Sequence, residues 1–496
     1  MKIIDNDLLS IQEARILAEN ARAAQKVLAT YPQKKLDEII ERMAEEITGH
    51  IRELSVMSSD ETEYGKWQDK FVKNKFICEY LLKKLRGMRC VGIINEDSQN
   101  RTMDIGVPIG VIIALCPSTS PVSTTIYKTL IAIKSGNAII FSPHPRAKKT
   151  IGKTLDILIS AAEKCGLPDG AISYLHCVAQ GGTMELMNHA NTSMILNTGV
   201  PRMLQAASNS GKPFIYGGTG NGPAFIERTA DIVQAVKDII TSKTFDNGVV
   251  SAAEQAVVVD GCISEIVKRE FQNNGAYFMK EEEAQKLGEL LFRADGCPDP
   301  EMVGKTAQEL AKRAGFHVPN SVRLLISEQK YVNVNNSYSK EKLCPVLAYY
   351  IEDDWMHACE KCIELLLNEK NGHTLVIHST DDEVIRQFAL KKPVGRVLVN
   401  TPAVFGSMGV TTNLFPAMTL GSGSVGIGIS SDNVSPMNLI YIRKVGYAVR
   451  KAEEMINMEI TEDLPSVNYV EQPLDNKLKD IQLLERIFDN VIEKLS

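Results

Sequence analysis

Apolar residues recur at helical spacing through the first ninety positions of the chain. Ser10-Ile11-Gln12-Glu13 reads as a capping box opening a helix that lasts until Tyr31-Pro32, and amphipathic helix follows over residues 34–48 and about 68–85. The pattern changes at residues 88–105, where Cys90-Val91-Gly92-Ile93-Ile94 and Arg101-Thr102-Met103-Asp104-Ile105 predict two short extended segments around a polar turn. From Gly110 to Tyr216 continuous apolar runs alternate with helical periodicity. Strands are predicted at 111–116, 138–141, 194–197 and 214–216, with helices near 122–134, 148–165 and 201–208. A second alternating block, from Ala224 to about Asn400, predicts strands at 256–259, 346–350, 374–378 and 396–400. A glycine-rich stretch at 421–428 then leads to a last strand at 438–444. Short, unbroken apolar strands between helices imply parallel sheets covered on both faces, so the fold class is α/β.

The pattern divides the chain into a first α/β domain over 1–220, a second over 221–420, and a return segment and strand over 421–448. Residues 461–476 hold Pro465 and Pro473 with little apolar periodicity and read as a linker. In residues 477–496, Leu478, Ile481, Leu484, Phe488, Val491 and Leu495 fall on one helical face. Such a stripe packs on its own domain or docks elsewhere.

Composition narrows the function. A chain of 496 residues with 44% apolar and 23% charged residues is that of an ordinary globular protein of two or three domains. A net charge of −6 gives no electrostatic footprint for nucleic acid. Met1-Lys2-Ile3-Ile4-Asp5-Asn6-Asp7 has no apolar signal core, and no run approaches the ~20 apolar residues of a membrane span. Ten cysteines without framework spacing fit a reducing cytoplasm. Cys359-x-x-Cys362 lacks a second pair, and no metal-spaced motif occurs, so no metal site is expected.

The candidate chemistry centres on Phe245-Asp246-Asn247-Gly248-Val249-Val250-Ser251-Ala252-Ala253-Glu254-Gln255, where a glycine-bearing turn delivers Ser251 just ahead of an apolar strand. By periodicity alone Ser251 is an ordinary turn serine. This stretch, residues 110–148 and residues 414–445 together resemble the CoA-acylating branch of the aldehyde dehydrogenase superfamily. That branch includes acetaldehyde and propanal dehydrogenases of bacterial microcompartments and the aldehyde half of bifunctional aldehyde-alcohol dehydrogenases. The likeness runs from about Ser10 to about Val445.

The resemblance implies two doubly wound α/β domains plus a β arm, including residues 88–105, that crosses to a neighbouring subunit of a homo-dimer or tetramer. It implies reversible oxidation of a short-chain aldehyde to acyl-CoA, with NAD accepting the hydride and coenzyme A taking the acyl group. It also implies that a short helix behind a linker, as at 477–496, directs the enzyme into a microcompartment shell.

Two positions depart from the family. Ser251 stands where the catalytic cysteine is expected. A hydroxyl needs an adjacent base to attack, and no Gly-x-Ser-x-Gly motif surrounds it. A deliberate change, a natural member with altered or lost activity, and a nucleophile elsewhere all stay open. Ser120, in Cys116-Pro117-Ser118-Thr119-Ser120-Pro121, stands where an asparagine helps bind the oxyanion, and its hydroxyl can donate one such bond. In Tyr216-Gly217-Gly218-Thr219-Gly220-Asn221-Gly222-Pro223, Gly217 aligns with the glutamate that activates water in the hydrolytic branch, which favours transfer to CoA. By the same likeness Ser142, His144, Arg146, Thr198, Gly199 and Gly218 hold the cofactor, Glu341 its nicotinamide ribose, and His373 faces the pocket. Arg146 would tolerate the extra phosphate of NADP, so that preference stays open. A non-acylating dehydrogenase and a catalytically silent NAD- and CoA-binding scaffold are the alternatives.

Overall fold

The computed structural model describes residues 5–218, 220–369 and 372–456. The linker and helix expected at 461–476 and 477–496 lie outside the described residues. The N-terminal helices are Asn6–Leu28, Gln33–Thr48, Ile51–Thr62 and Trp67–Phe76, the last continued by a π turn at Ile77–Leu81 and a turn at Leu82–Leu85. The capping box expected at Ser10 does not form. Asp5 caps the first helix, accepting from the Leu8 amide, and so starts it earlier than the pattern suggested. Ser10 is instead buried inside that helix, where a Cβ on Gly182 would overlap its Oγ. A small side chain at each position is what lets the two helices approach. The helix Ile51–Thr62 is an addition to the expected set.

Fifteen strands form three sheets among the described residues: β1 Gly92–Asp97, β2 Thr102–Pro108, β3 Val111–Leu115, β4 Ala138–Ser142, β5 Ile172–Tyr174, β6 Thr192–Thr198, β7 Phe214–Gly217, β8 Pro223–Ile226, β9 Ala256–Asp260, β10 Ala276–Phe278, β11 Leu324–Glu328, β12 Val346–Glu352, β13 Thr374–His378, β14 Arg396–Val399 and β15 Ile440–Gly446. The first large sheet has the order β5-β4-β3-β6-β7 and the second β10-β11-β12-β9-β8-β13-β14, and every pairing in both is parallel. Every residue of β3, β4 and β9 is buried, as continuous apolar runs between two helical layers require. The third sheet has the order β1-β2-β15. Its outer strands β1 and β15 are largely exposed, and β2 between them is half-buried. Residues 96–103 and 445–456 belong to a second, small unit, within which the Tyr447 amide donates to the Arg101 carbonyl and the Arg101 guanidinium lies over the Tyr447 ring. Among the described residues, no helix is long and apolar enough to cross a membrane.

Both large sheets place loops at one site. In the first, the segments following β3, β4, β6 and β7 leave the carboxyl ends of parallel strands, where open α/β sheets present their crevices. In the second, the loop ahead of β9 comes forward to meet them.

Candidate active site

The loop carrying Ser251 follows the helix Ile232–Thr244, and it owes its course to three consecutive left-handed residues. Asp246, Asn247 and Gly248 have φ of 52°, 51° and 72°. Asp, Asn and Gly are the residue types that tolerate this region best. Tertiary bonds fix the first two: the Asp246 amide donates to Asp69 Oδ2 at 2.7 Å, and Asn247 Nδ2 donates to the Gly304 carbonyl at 2.8 Å. Beyond Ser251, the Gln255 amide donates to the Gly222 carbonyl at 2.8 Å, and Lys243 Nζ donates to Gln255 Oε1 at 2.9 Å. Ser251 is therefore held from both sides.

Asp246 is the buried hub of this arrangement. Its Oδ2 accepts from Lys73 Nζ at 2.6 Å and Lys70 Nζ at 3.0 Å, and its Oδ1 accepts from the Lys66 amide at 2.7 Å. Asp246, Lys70 and Lys73 are all nearly inaccessible to water. Lys73 also donates to Ser120 Oγ at 2.7 Å, and Lys70 to the Thr119 carbonyl at 3.1 Å. The ammonium groups thus join the Ser120 loop to the Ser251 loop. Burial pushes Lys70 down to about 8 against the pull of Asp246.

Ser120 and Ser251 line one cavity of about 330 Å³, together with His144, Arg146, Thr198, Gly199, Gly218 and Glu341. Eight of the ten residues singled out from the sequence thus share one space. The other two do not line it. Ser142 turns its hydroxyl to Thr183 Oγ1 at 2.7 Å. His373, expected to face the pocket, is buried and does not line it, although a Cβ on Gly220 would overlap both His373 Nε2 and the Ser251 carbonyl oxygen, which places the imidazole beside the Ser251 backbone. His373 Nδ1 lies 2.7 Å from Thr374 Oγ1, while Nε2 has no hydrogen-bond partner. Burial, with Arg396 nearby, drives this imidazole down to about 3, so it is neutral.

Sequence reasoning missed several lining or supporting groups. Arg202 and Arg293 join Arg146 around the cavity, and Cys297 also lines it. Asp295 bridges the two, with Arg202 at 2.8 Å and Arg293 at 3.1 Å. Arg146 lies over the ring of Tyr64, 5.2 Å from its centroid. These cations sit beside the loop 198–202, where Gly199 has a φ of 62° and a Cβ would come within 3.1 Å of Pro117. A cationic rim with close backbone approach suits a dinucleotide or another phosphate-bearing ligand. Glu341 is buried and accepts from the Gly220 amide at 2.7 Å. Burial raises it to about 8 despite that bond, so it holds a proton at neutral pH.

Comparison with known proteins places this architecture. The aldehyde dehydrogenase family model matches residues 4–281, more than half of the chain. The chain belongs to the aldehyde dehydrogenase family. The acetylating aldehyde dehydrogenase from Geobacillus thermoglucosidasius superposes with a TM-score of 0.88 at 42% identity, over 90% of this chain and 99% of that one. A propionaldehyde dehydrogenase from the Clostridium phytofermentans fucose utilisation bacterial microcompartment superposes with a TM-score of 0.77 at 26% identity, over 87% and 98%. The bifunctional aldehyde-alcohol dehydrogenase of Escherichia coli K12 is 36% identical over 452 residues, 90% of this chain and 50% of that protein. The chain spans about half the length of the first curated relatives that it matches.

Within an aldehyde dehydrogenase fold, the surroundings of Ser251 limit what its hydroxyl can do. No hydrogen-bond partner of Ser251 Oγ is found among the described residues. His373, held neutral by burial, makes no hydrogen bond to that hydroxyl, and protonated Glu341 offers no charge. Gly217 offers no space for a further carboxylate, since a Cβ there would approach Thr419 Cγ2 to 2.9 Å and the Leu420 amide to 3.3 Å. A serine without a base does not become an alkoxide at neutral pH.

Proposed function

We propose that this chain is a CoA-acylating aldehyde dehydrogenase of short-chain aldehydes that uses NAD, with its covalent step disabled by serine at position 251. The crowding at Gly217 carries the choice of acyl acceptor. Where a hydrolytic enzyme needs a carboxylate to activate water, the backbone here leaves room for hydrogen alone, so an acyl group leaves to the thiol of CoA. The acetylating relative at 42% identity supports the same exit.

Arg146, Arg202 and the Thr198–Gly199 turn would hold the pyrophosphate of NAD, and Glu341 its nicotinamide ribose. NAD, when bound, accepts the hydride from the carbon of the aldehyde. The chain's own part is to hold the carbonyl beside position 251, with its oxygen toward Ser120 and the Ser251 amide, and to exclude water at Gly217. With a thiol at 251 the sulfur would add to the carbonyl carbon and, after hydride loss, keep the acyl group until the CoA thiol displaces it. His373 would support the Ser251 loop from beside its backbone.

The test is NADH formation by the native chain and by Ser251→Cys across short aldehydes, with and without CoA. CoA-dependent turnover that appears only in Ser251→Cys supports the proposal. Turnover of that variant without CoA would make the enzyme non-acylating. Silence of both proteins with nucleotide still bound favours the second reading, a binding scaffold, which the unactivated Ser251 hydroxyl recommends.

The exposed arm strand β15, with Tyr441 and Ile442 half open to solvent, fits pairing with another copy into a dimer or tetramer, checked by light scattering. Residence in the cytoplasm, inside a microcompartment, rests on the microcompartment relative and the stripe in 477–496. Fusing 461–496 to a fluorescent protein tests it, and diffuse fluorescence in shell-forming cells would refute it.

A further inference from the structure

Ser120 precedes the helix Pro121–Lys134, yet its side chain makes no capping bond. Its Oγ is instead the target of Lys73 Nζ at 2.7 Å, in a site where both residues are buried. The geometry around Lys73 is closed. Its second donor goes to Asp246 Oδ2 at 2.6 Å, and the same oxygen takes Lys70 at 3.0 Å. The carboxylate therefore anchors the ammonium and aims it at Ser120.

A hydroxyl carries one proton and two lone pairs, whereas an ammonium has donors only. Lys73 therefore occupies a lone pair of Ser120 and can never receive its proton. No acceptor for that proton is found among the described residues, and the direction left to it is the cavity that Ser120 lines with Ser251. A serine free of the lysine could rotate and present either a proton or a lone pair to a ligand. Donation from a cation also polarises the O–H bond and strengthens the bond it makes onward.

We propose that Lys73 is a positioning residue which, by filling one lone pair of Ser120, turns the hydroxyl proton into the cavity, aimed at the carbonyl oxygen of the aldehyde. The group it would meet is a hydrogen-bond acceptor, here the carbonyl oxygen that gains negative charge during reaction. This inference rests on the aldehyde dehydrogenase reading of the site. It adds a second layer that no residue motif marks: Lys73, on helix Trp67–Phe76, acts on the substrate through Ser120.

The experiment is a double-mutant cycle in Ser251→Cys protein, comparing Lys73→Met, Ser120→Ala and the pair. Loss of one oxyanion donor costs about 10²–10³ in kcat, so Ser120→Ala should fall in that range. Lys73→Met should lower kcat by about tenfold or more with KM little changed, as expected when an interaction made in the transition state is lost. The pair should be no worse than Ser120→Ala alone. Lys73→Arg, which keeps obligate donors, should retain most of the activity that Lys73→Met loses. If Lys73→Met costs as much with alanine at position 120 as with serine, or raises only KM, the lysine is structural and the inference falls.

An inactive Ser251→Cys parent would refute the proposed function, and the inference is then judged on the native chain alone. There the probe is isotope-edited infrared spectroscopy of propionamide at saturating concentration. A carbonyl stretch lowered in the native chain and returned toward its solution value in both Lys73→Met and Ser120→Ala supports the inference. An unshifted band, or one that neither substitution moves, overturns it.

Discussion

Replacing Asp246 by asparagine should destabilise the protein severely at neutral pH and much less at alkaline pH. The carboxylate is buried and receives two ammonium groups, at 2.6 and 3.0 Å, plus the Lys66 amide at 2.7 Å. Asparagine preserves the shape but leaves two buried cations facing a neutral amide. Breaking a buried ion pair by removing one partner costs about 3–5 kcal/mol. The pH dependence follows from Lys70, which burial holds at about 8 in the folded chain, against roughly 10.4 for a lysine in water. Between those values the unfolded chain binds more protons than the folded one, so stability rises with pH. Asp246 is the main group opposing that depression, so the variant's window extends to lower pH and its deficit shrinks as Lys70 discharges. Urea unfolding of native and Asp246→Asn protein at pH 7 and pH 9.5, followed by fluorescence of Trp67, reads both effects. Trp67 opens the helix that carries the two lysines. A deficit under about 1 kcal/mol at pH 7, or one unchanged at pH 9.5, would refute the view that these charges form one buried unit; the first outcome is what exposed pairs show.

Other substitutions probe the remaining contacts. Gly220→Ala in Ser251→Cys protein should lower kcat by about 10²-fold, since the added Cβ displaces the backbone at the nucleophile position by an ångström or so; unchanged kcat would mean that this backbone yields freely. Arg146→Ala should weaken NAD binding by about tenfold in calorimetry, the value of one charge-assisted phosphate bond, and an equal affinity would remove this residue from the cofactor site. Glu341→Gln should leave NAD affinity nearly unchanged at pH 6.5 and hold it constant to pH 9.5. In the native chain affinity should change above about pH 8, where Glu341 loses its proton. Identical pH profiles would contradict the protonated state assigned to it.

How far the site could be read from the chain depended on whether its signals were local. The strands β3, β4, β6 and β9 declare themselves because parallel strands between two helical layers must be apolar throughout. The three-residue strands β5 and β10 are too short to show periodicity, and β8 begins at a proline that breaks its pattern. Ser120, Ser251, His144, Arg146, Thr198, Gly199, Gly218 and Glu341 stand in motifs a few residues long and meet in one cavity. Lys73 does not belong to such a motif, and Asp246, although inside the Phe245–Gln255 stretch, carries no sign there of its partner. They meet across 173 positions, and Lys73 looks in sequence like any polar residue on a charged helix face. His373 stands in a short motif as well, yet it does not line the cavity and meets the site only beside the backbone of Ser251.

The tie between Lys73 and Asp246 also sets a temporal order. During synthesis the helix Trp67–Phe76 leaves the ribosome well ahead of the loop that neutralises it. At about 5–20 residues per second the interval is on the order of 10–30 s. For that time two lysines destined for the interior have no carboxylate to meet, and the helix bearing them has reason to stay hydrated. The early helices and first sheet are thus a receptacle completed from downstream, and a nascent chain stalled before residue 245 would carry an open, charged groove where the finished protein has a buried cluster of ions.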